Sequence, residues 1–205
     1  MPHLILLGDS IFDNQSYVPG QPDVVRQVRA LLPPGWQASL GAVDGATTSG
    51  LRGQVARLPA DASHLVVSMG GNDALGASHI LHDRVGQVAE GVAKLAAAQA
   101  RFAADYDAAL DAVLARGLPT AICTIYDTPN DRPEQTIIRT ALSVFNDVIT
   151  RAAFSRGLPL IDLRLLLNED ADYANPIEPS AQGGEKMARA INRLVASDWA
   201  LQVVS

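Results

Sequence analysis

The chain of 205 residues holds one cysteine, Cys123, so no internal disulfide can form. With four histidines besides, it is too poor in His and Cys for a zinc cluster, and the expectation is a reducing, cytoplasmic setting with no metal. Basic residues are also in deficit: 16 Lys and Arg stand against 22 Asp and Glu, for a formal charge of -6. That sign is wrong for gathering phosphate backbones by counterion release, which sets nucleic acid aside as a partner. Long apolar runs are missing too. The one at the front, Leu4 to Leu7, is far too short for a signal segment or a membrane span, and the chain reads as soluble and unexported. No G-x-G-x-x-G or P-loop follows a predicted strand, which disfavours a nucleotide-binding protein.

What is abundant is core material. Hydrophobic residues make up 48% of the chain and charged residues 19%, enough for one domain with a sizeable core over residues 1–205. Short apolar runs at 3–7, 36–40, 64–69, 120–125 and 160–163 predict five strands. Helical spacing predicts helices over 22–32, 47–58, 85–116, 134–155 and 184–196. Arg-Gly-Leu-Pro occurs at 116–119 and again at 156–159, and each copy marks a helix-to-strand junction with a glycine suited to a left-handed cap. Strands alternating with helices, the strands apolar on both faces, predict an α/β domain with a parallel sheet covered on both sides.

In such sheets ligands bind beyond the carboxyl ends of the strands. The loops there contain Gly8-Asp9-Ser10, Gly41 to Gly45, Gly70-Gly71-Asn72-Asp73 and Asn175-Pro176-Ile177-Glu178-Pro179-Ser180. Ser10 sits at a sharp turn after a strand, where a following helix N-terminus would favour developing negative charge. The bare Gly45 N–H, the Asn72 amide and the Ser10 N–H together could form an oxyanion hole for acyl transfer.

These residues, in this order and spacing across nearly the whole chain, resemble the first three sequence blocks of the SGNH (GDSL-type) hydrolases. The resemblance implies a single three-layer α/β/α flavodoxin-like domain and an esterase, lipase, thioesterase or carbohydrate deacetylase activity on a small ester, without a cofactor. It further implies Ser10 as nucleophile, with Gly45 and Asn72 as oxyanion donors.

The chain departs from the family in its last block, where the pattern is Asp-x-x-His-Pro. Keeping the step to Gly183 and the final helix puts Glu178-Pro179 on His-Pro and Asn175 on the aspartate; the other register uses Asp172 and lengthens that step by three residues. Neither supplies a histidine. A glutamate, with a pKa near 4.3 against about 6.5 for histidine, is weaker by about 3 kcal/mol of proton affinity unless burial raises it. The preferred register makes Ser10 and Glu178 a dyad, with the Asn175 amide orienting the carboxylate.

Asp9, Asp73 and Tyr126 are candidate substrate contacts, and Asp127 and Thr128 follow Tyr126 on the same edge. His79 and His82, just past Asn72, offer a second route to a base; His3 and His64, at strand starts, read as structural. Cys123, inside an apolar strand, reads as an inert core thiol. A pseudoenzyme that binds a carboxylate or acylated carbohydrate without turnover is the alternative.

Overall fold

A computed structural model describes residues 1–127, 134–197, 199 and 203–204. Thr128 therefore lies outside the described residues. The first strand, β1, spans His3–Gly8, and the others are β2 (Gln37–Leu40), β3 (His64–Ser68), β4 (Thr120–Cys123), β5 (Leu160–Ile161) and a two-residue edge strand, Val203–Val204. All pair in parallel; the five expected strands run in the order β2-β1-β3-β4-β5, and the edge strand extends the sheet beyond β5.

The apolar runs explain the layers. Side chains alternate across a strand, so Leu4, Leu6, Val66, Ala121, Cys123 and Ile161 enter one core, while Ile5, Leu7, Leu65, Val67, Ile122 and Leu160 enter the other. The first core is closed by α1 (Val24–Leu31) and by a C-terminal helix over Ala181–Ala196. The second is closed by α2 (Leu51–Ala56), α4 (Val88–Leu114) and α5 (Gln135–Arg156), with α3 (Gly71–Gly76) at the end of β3. A strand buried on both faces has no polar side to alternate with, which is why its sequence is continuously apolar.

The boundaries follow local chemistry. Asp23 caps α1 by accepting from the Arg26 N–H at 2.8 Å, as the Pro22-Asp23 pair implies. Gly117 and Gly157, one in each Arg-Gly-Leu-Pro copy, both have left-handed φ, 66° and 63°. Three expectations are corrected. The helix over 47–58 begins as a short 3-10 turn at Thr48–Gly50 before α2, and the 160–163 run is strand only at Leu160–Ile161. Asp162 instead caps a four-residue helix, α6 (Leu163–Leu166), by accepting from the Arg164 N–H. The C-terminal helix, expected from 184, starts at Ala181, because the Ser180 hydroxyl caps it at the Gly183 N–H. Before it, β6 (Tyr173–Asn175) and β7 (Glu178–Pro179) form a small antiparallel hairpin where the sequence predicts a loop, and the C-terminal helix is α7.

Candidate active site

The site is built from the backbone of Gly8 upward. Gly8 has φ 138°, and a Cβ there would lie 1.8 Å from the Ser68 carbonyl oxygen of β3, so only glycine lets β1 approach β3 this closely while turning outward. Gln54, on α2, holds the turned peptide from both sides: the Gly8 N–H donates to its Oε1 (2.8 Å), and its Nε2 donates to the Gly8 carbonyl (2.7 Å).

Asp9 and Ser10 follow, both buried. The Asp9 carboxylate accepts from the Ile11 N–H, and its carbonyl accepts from Phe12 and Asp13. The chain thus closes a single turn on Asp9 and does not continue into a helix; α1 begins only at Val24. The helix N-terminus expected behind Ser10 is absent, and no helix field can be credited to its hydroxyl.

Asn72 lies in the first turn of α3, and its amide donates to the Ala46 carbonyl at 2.9 Å, leaving a second N–H on the same nitrogen. That contact brings the neighbouring residue, Gly45, to the same edge. Gly45 has φ 74°, and the 41–46 loop is tied to the Ser10 turn by Val43 N–H to the Gly8 carbonyl (3.1 Å) and Asp44 N–H to Asp13 (2.9 Å). Among the described residues neither the Gly45 N–H nor the Ser10 N–H has a hydrogen-bond partner. Asp73, expected beside the substrate, turns toward this loop: its carboxylate accepts from the Thr48 N–H and from the Thr48 hydroxyl (2.7 Å).

Glu178 enters from β7. Glu178 is 5% exposed and faces the same cavity as Ser10, and its Oε2 is buried without a partner. Burial pushes its pKa up from 4.5 to about 7, with the nearby Ser10 hydroxyl opposing the rise and Asp44 adding to it. Asp9 is likewise pushed up to about 7 by burial, with Glu178 and Asp73 adding and the Ile11 N–H opposing. Two carboxyl groups thus share a cavity with Ser10, each pushed by burial toward a proton affinity near neutrality.

Asn175 takes a different part from the expected one. Its Oδ1 accepts from the Ile177 N–H at 2.9 Å, forming an Asx turn at the tip of the β6–β7 hairpin, and no donation from its amide to Glu178 occurs among the described residues. The Asn-Pro pair was the local signal for that turn. Asp172, the aspartate of the other register, is fully buried and accepts from the Glu169 N–H (3.0 Å), Gln182 (3.1 Å) and Lys186 (2.7 Å), so it anchors α7. The hairpin is tied to the Ser10 turn by Asn14, a fully buried residue that carries no local signal in the sequence: Nδ2 donates to the Pro179 carbonyl (3.3 Å), and Oδ1 accepts from the Val24 N–H (3.0 Å).

Asp9, Ser10, Asn72, Tyr126 and Glu178 line one cavity of about 190 Å³. Tyr126 donates its hydroxyl to the Ile177 carbonyl, and Asp127, next along, pairs with Arg139 (3.1 Å). Neither His79 nor His82 lines the cavity; both are exposed, and His79 contacts the Gly76 carbonyl. His3 is buried against Ser39 and Asp61, and His64 packs between the tilted rings of Trp36 and Trp199. Cys123 is buried, and burial raises its thiol further from ionisation. Among the described residues no group of three His, Cys, Asp or Glu side chains is placed to hold a metal, and no helix is long and apolar enough to cross a membrane.

Solved structures share this fold over nearly their whole length. A lipase from a goat rumen metagenome has a TM-score of 0.72 at 18% identity, covering 98% of this chain and 99% of that one. An extracellular lipase from Streptomyces rimosus gives 0.68 at 17% identity (96% and 99% covered), and an acetylxylan esterase from Geobacillus stearothermophilus gives 0.68 at 19% (97% and 96%). No curated protein matches the sequence. Residues 6–186 match the GDSL-like lipase/acylhydrolase family, a span that contains the Gly-Asp-Ser turn, Gly45, Asn72 and the Glu178 hairpin, and the chain belongs to that family.

Proposed function

We propose that the protein is a serine acyl hydrolase in which Glu178 replaces the histidine base of the family pattern. The observation that carries this reading is a buried carboxylate on β7 that lines the same cavity as the Ser10 hydroxyl and has one oxygen without a partner, with burial raising its proton affinity to about 7. A base working near neutral pH needs a pKa near that pH, and desolvation supplies it here without an imidazole.

In the proposed reaction Ser10 Oγ attacks the ester carbonyl carbon while its proton passes to Glu178. The carbonyl oxygen becomes an oxyanion held by the Asn72 amide and the unpartnered N–H groups of Gly45 and Ser10. The C–O bond to the alcohol then breaks, and Glu178 returns the proton to the leaving oxygen. Water attacks the acyl-Ser10 carbonyl, its proton goes to Glu178, and collapse releases the acid and restores the Ser10 hydroxyl. Asp9 backs the nucleophile, Tyr126 walls the cavity, and Asp73 positions the 41–50 loop through Thr48. Asn175 shapes the turn that delivers Glu178.

A fluorophosphonate probe tests the reading. Wild-type protein is expected to label covalently, Ser10→Ala not at all, and Glu178→Gln at least a hundredfold more slowly. Equal labelling of wild type and Ser10→Ala overturns the nucleophile, and an unchanged rate in Glu178→Gln overturns the base.

A further inference from the structure

The cavity beside Ser10 is far from uniform. Its polar lining is gathered around the reacting end, at Asp9, Ser10, Asn72 and Glu178, with only Ser68, Ser78 and the already engaged Tyr126 beyond them. The remaining wall comes from Met69 after β3, α3 and the 3-10 turn that follows it, Ile125 beyond β4, Leu95 of α4, the facing side of α5 and the tip of the β6–β7 hairpin. Met69, Ile125 and Phe145 are its most buried members, Leu95, Ala141 and Leu142 are half-buried, and Leu75, Leu81 and Ile177 are exposed. An exposed apolar rim thus leads past the nucleophile to a buried apolar interior.

We infer that this arm is a binding site for an aliphatic chain of about six to eight carbons carried by the ester, an inference that rests on the hydrolase reading and adds the substrate class to it. The length follows from the volume: an apolar cavity of roughly 150 Å³ holds benzene, and about 190 Å³ admits a somewhat larger hydrocarbon. The chemistry follows from the wall. A sugar or other polyhydroxylated group lodged there would bury hydroxyls with almost nothing to bond, whereas each methylene leaving water is favoured. Acetyl esters would leave the arm empty and draw nothing from it. The chain can belong to the acid or to the alcohol, and both place the same hydrocarbon in the same arm.

Two ester series separate these sources: p-nitrophenyl alkanoates from acetyl to dodecanoyl, and acetates of alcohols from ethanol to decanol. In at least one series kcat/KM is expected to rise about twofold to fourfold per methylene, for at least about fiftyfold in all, and to stop rising near eight carbons. A flat or falling profile in both series overturns the inference while leaving the hydrolase standing. Ala141→Phe, which fills the arm, is expected to lower the octanoyl-to-acetyl ratio of kcat/KM at least tenfold, and Leu142→Ala to move the optimum to a longer chain. Each ratio is taken within one variant, so a general loss of folded protein cancels. Calorimetric binding of octanoate to Ser10→Ala gives a readout independent of turnover. Binding of octanoate but not acetate, weakened at least tenfold by adding Ala141→Phe, supports the arm even if no ester is cleaved. No binding of octanoate overturns it.

Discussion

Replacing Glu178 by glutamine should remove activity and, above neutral pH, make the fold more stable. In the folded protein the Glu178 carboxyl is pushed from 4.5 up to about 7 because it is buried with one oxygen unpartnered. A raised folded-state pKa means that the native state holds its proton more tightly than the unfolded chain. The stability this contributes is complete below pH 4.5 and is lost as pH rises to about 7. At about 1.4 kcal/mol for each tenfold change in proton affinity, the full loss is on the order of 3 kcal/mol. A neutral amide of the same shape does not titrate, so the stability difference between Glu178→Gln and wild type should grow by about that amount between pH 4.5 and 8, and then level off. Urea unfolding at both pH values, on both proteins, reads this directly. With a slope of about 2 to 3 kcal/mol per molar, the difference in midpoints should change by roughly 1 M. Asp9 titrates in the same range and is coupled to Glu178, but it is present in both proteins, and most of its contribution cancels. A difference that stays constant within about 0.5 kcal/mol over this range would refute the reasoning, since Glu178 would then be an ordinary solvated carboxylate.

Four further outcomes are expected. Because Glu178 must be ionised to accept the Ser10 proton, wild-type kcat/KM should fall tenfold per pH unit below about 7, and a limb near 4.5 in the pH profile would contradict this. Asn72→Ala should lower kcat by about 10² to 10³ with a much smaller change in KM, as steady-state kinetics would show. Gly8→Ala places a methyl 1.8 Å from the Ser68 carbonyl oxygen and should cost more than about 3 kcal/mol or prevent folding, measured by chemical denaturation. Gln54→Ala leaves the buried Gly8 N–H without a partner, the Gly8 carbonyl keeping the Val43 N–H, and should destabilise the protein by about 1 to 3 kcal/mol in the same assay.

The parallel sheet was legible because strands buried on both faces leave continuous apolar runs, and the two Arg-Gly-Leu-Pro junctions were legible because left-handed caps favour glycine. Three of the site loops stood out because they directly follow those strands, whereas the fourth segment, 175–180, lies in the β6–β7 hairpin beyond α6. What stayed hidden was non-local. Gln54 and Asn14 act on backbone 46 and 165 residues away, and nothing in their own neighbourhoods marks them. The single turn after Ser10 was misread as a helix start because the competition between the Asp9 carboxylate and a continuing helix for the same N–H groups is decided by packing. Asn175 was misassigned for the opposite reason. A local signal, Asn before Pro, was outweighed by alignment with a family position.

Gln54 has a counterpart that reveals how the edge of the sheet can open. Beyond β4, Asn146 of α5 grips the Ile125 peptide in the same two-handed way, accepting from its N–H at 2.8 Å and donating to its carbonyl at 2.9 Å. A strand that leaves its neighbours ordinarily strands its peptide groups, which in a dry interior is costly. Here two side-chain amides serve the Gly8 and Ile125 groups where the backbone ladder runs out, at the last β1–β3 pair and just past β4, so the chain can turn out of the sheet on either side of β3 without stranding those groups. The gap between them can then be shaped by loops alone, so the mouth can be remodelled by sequence change without unravelling the sheet, provided those two amides stay.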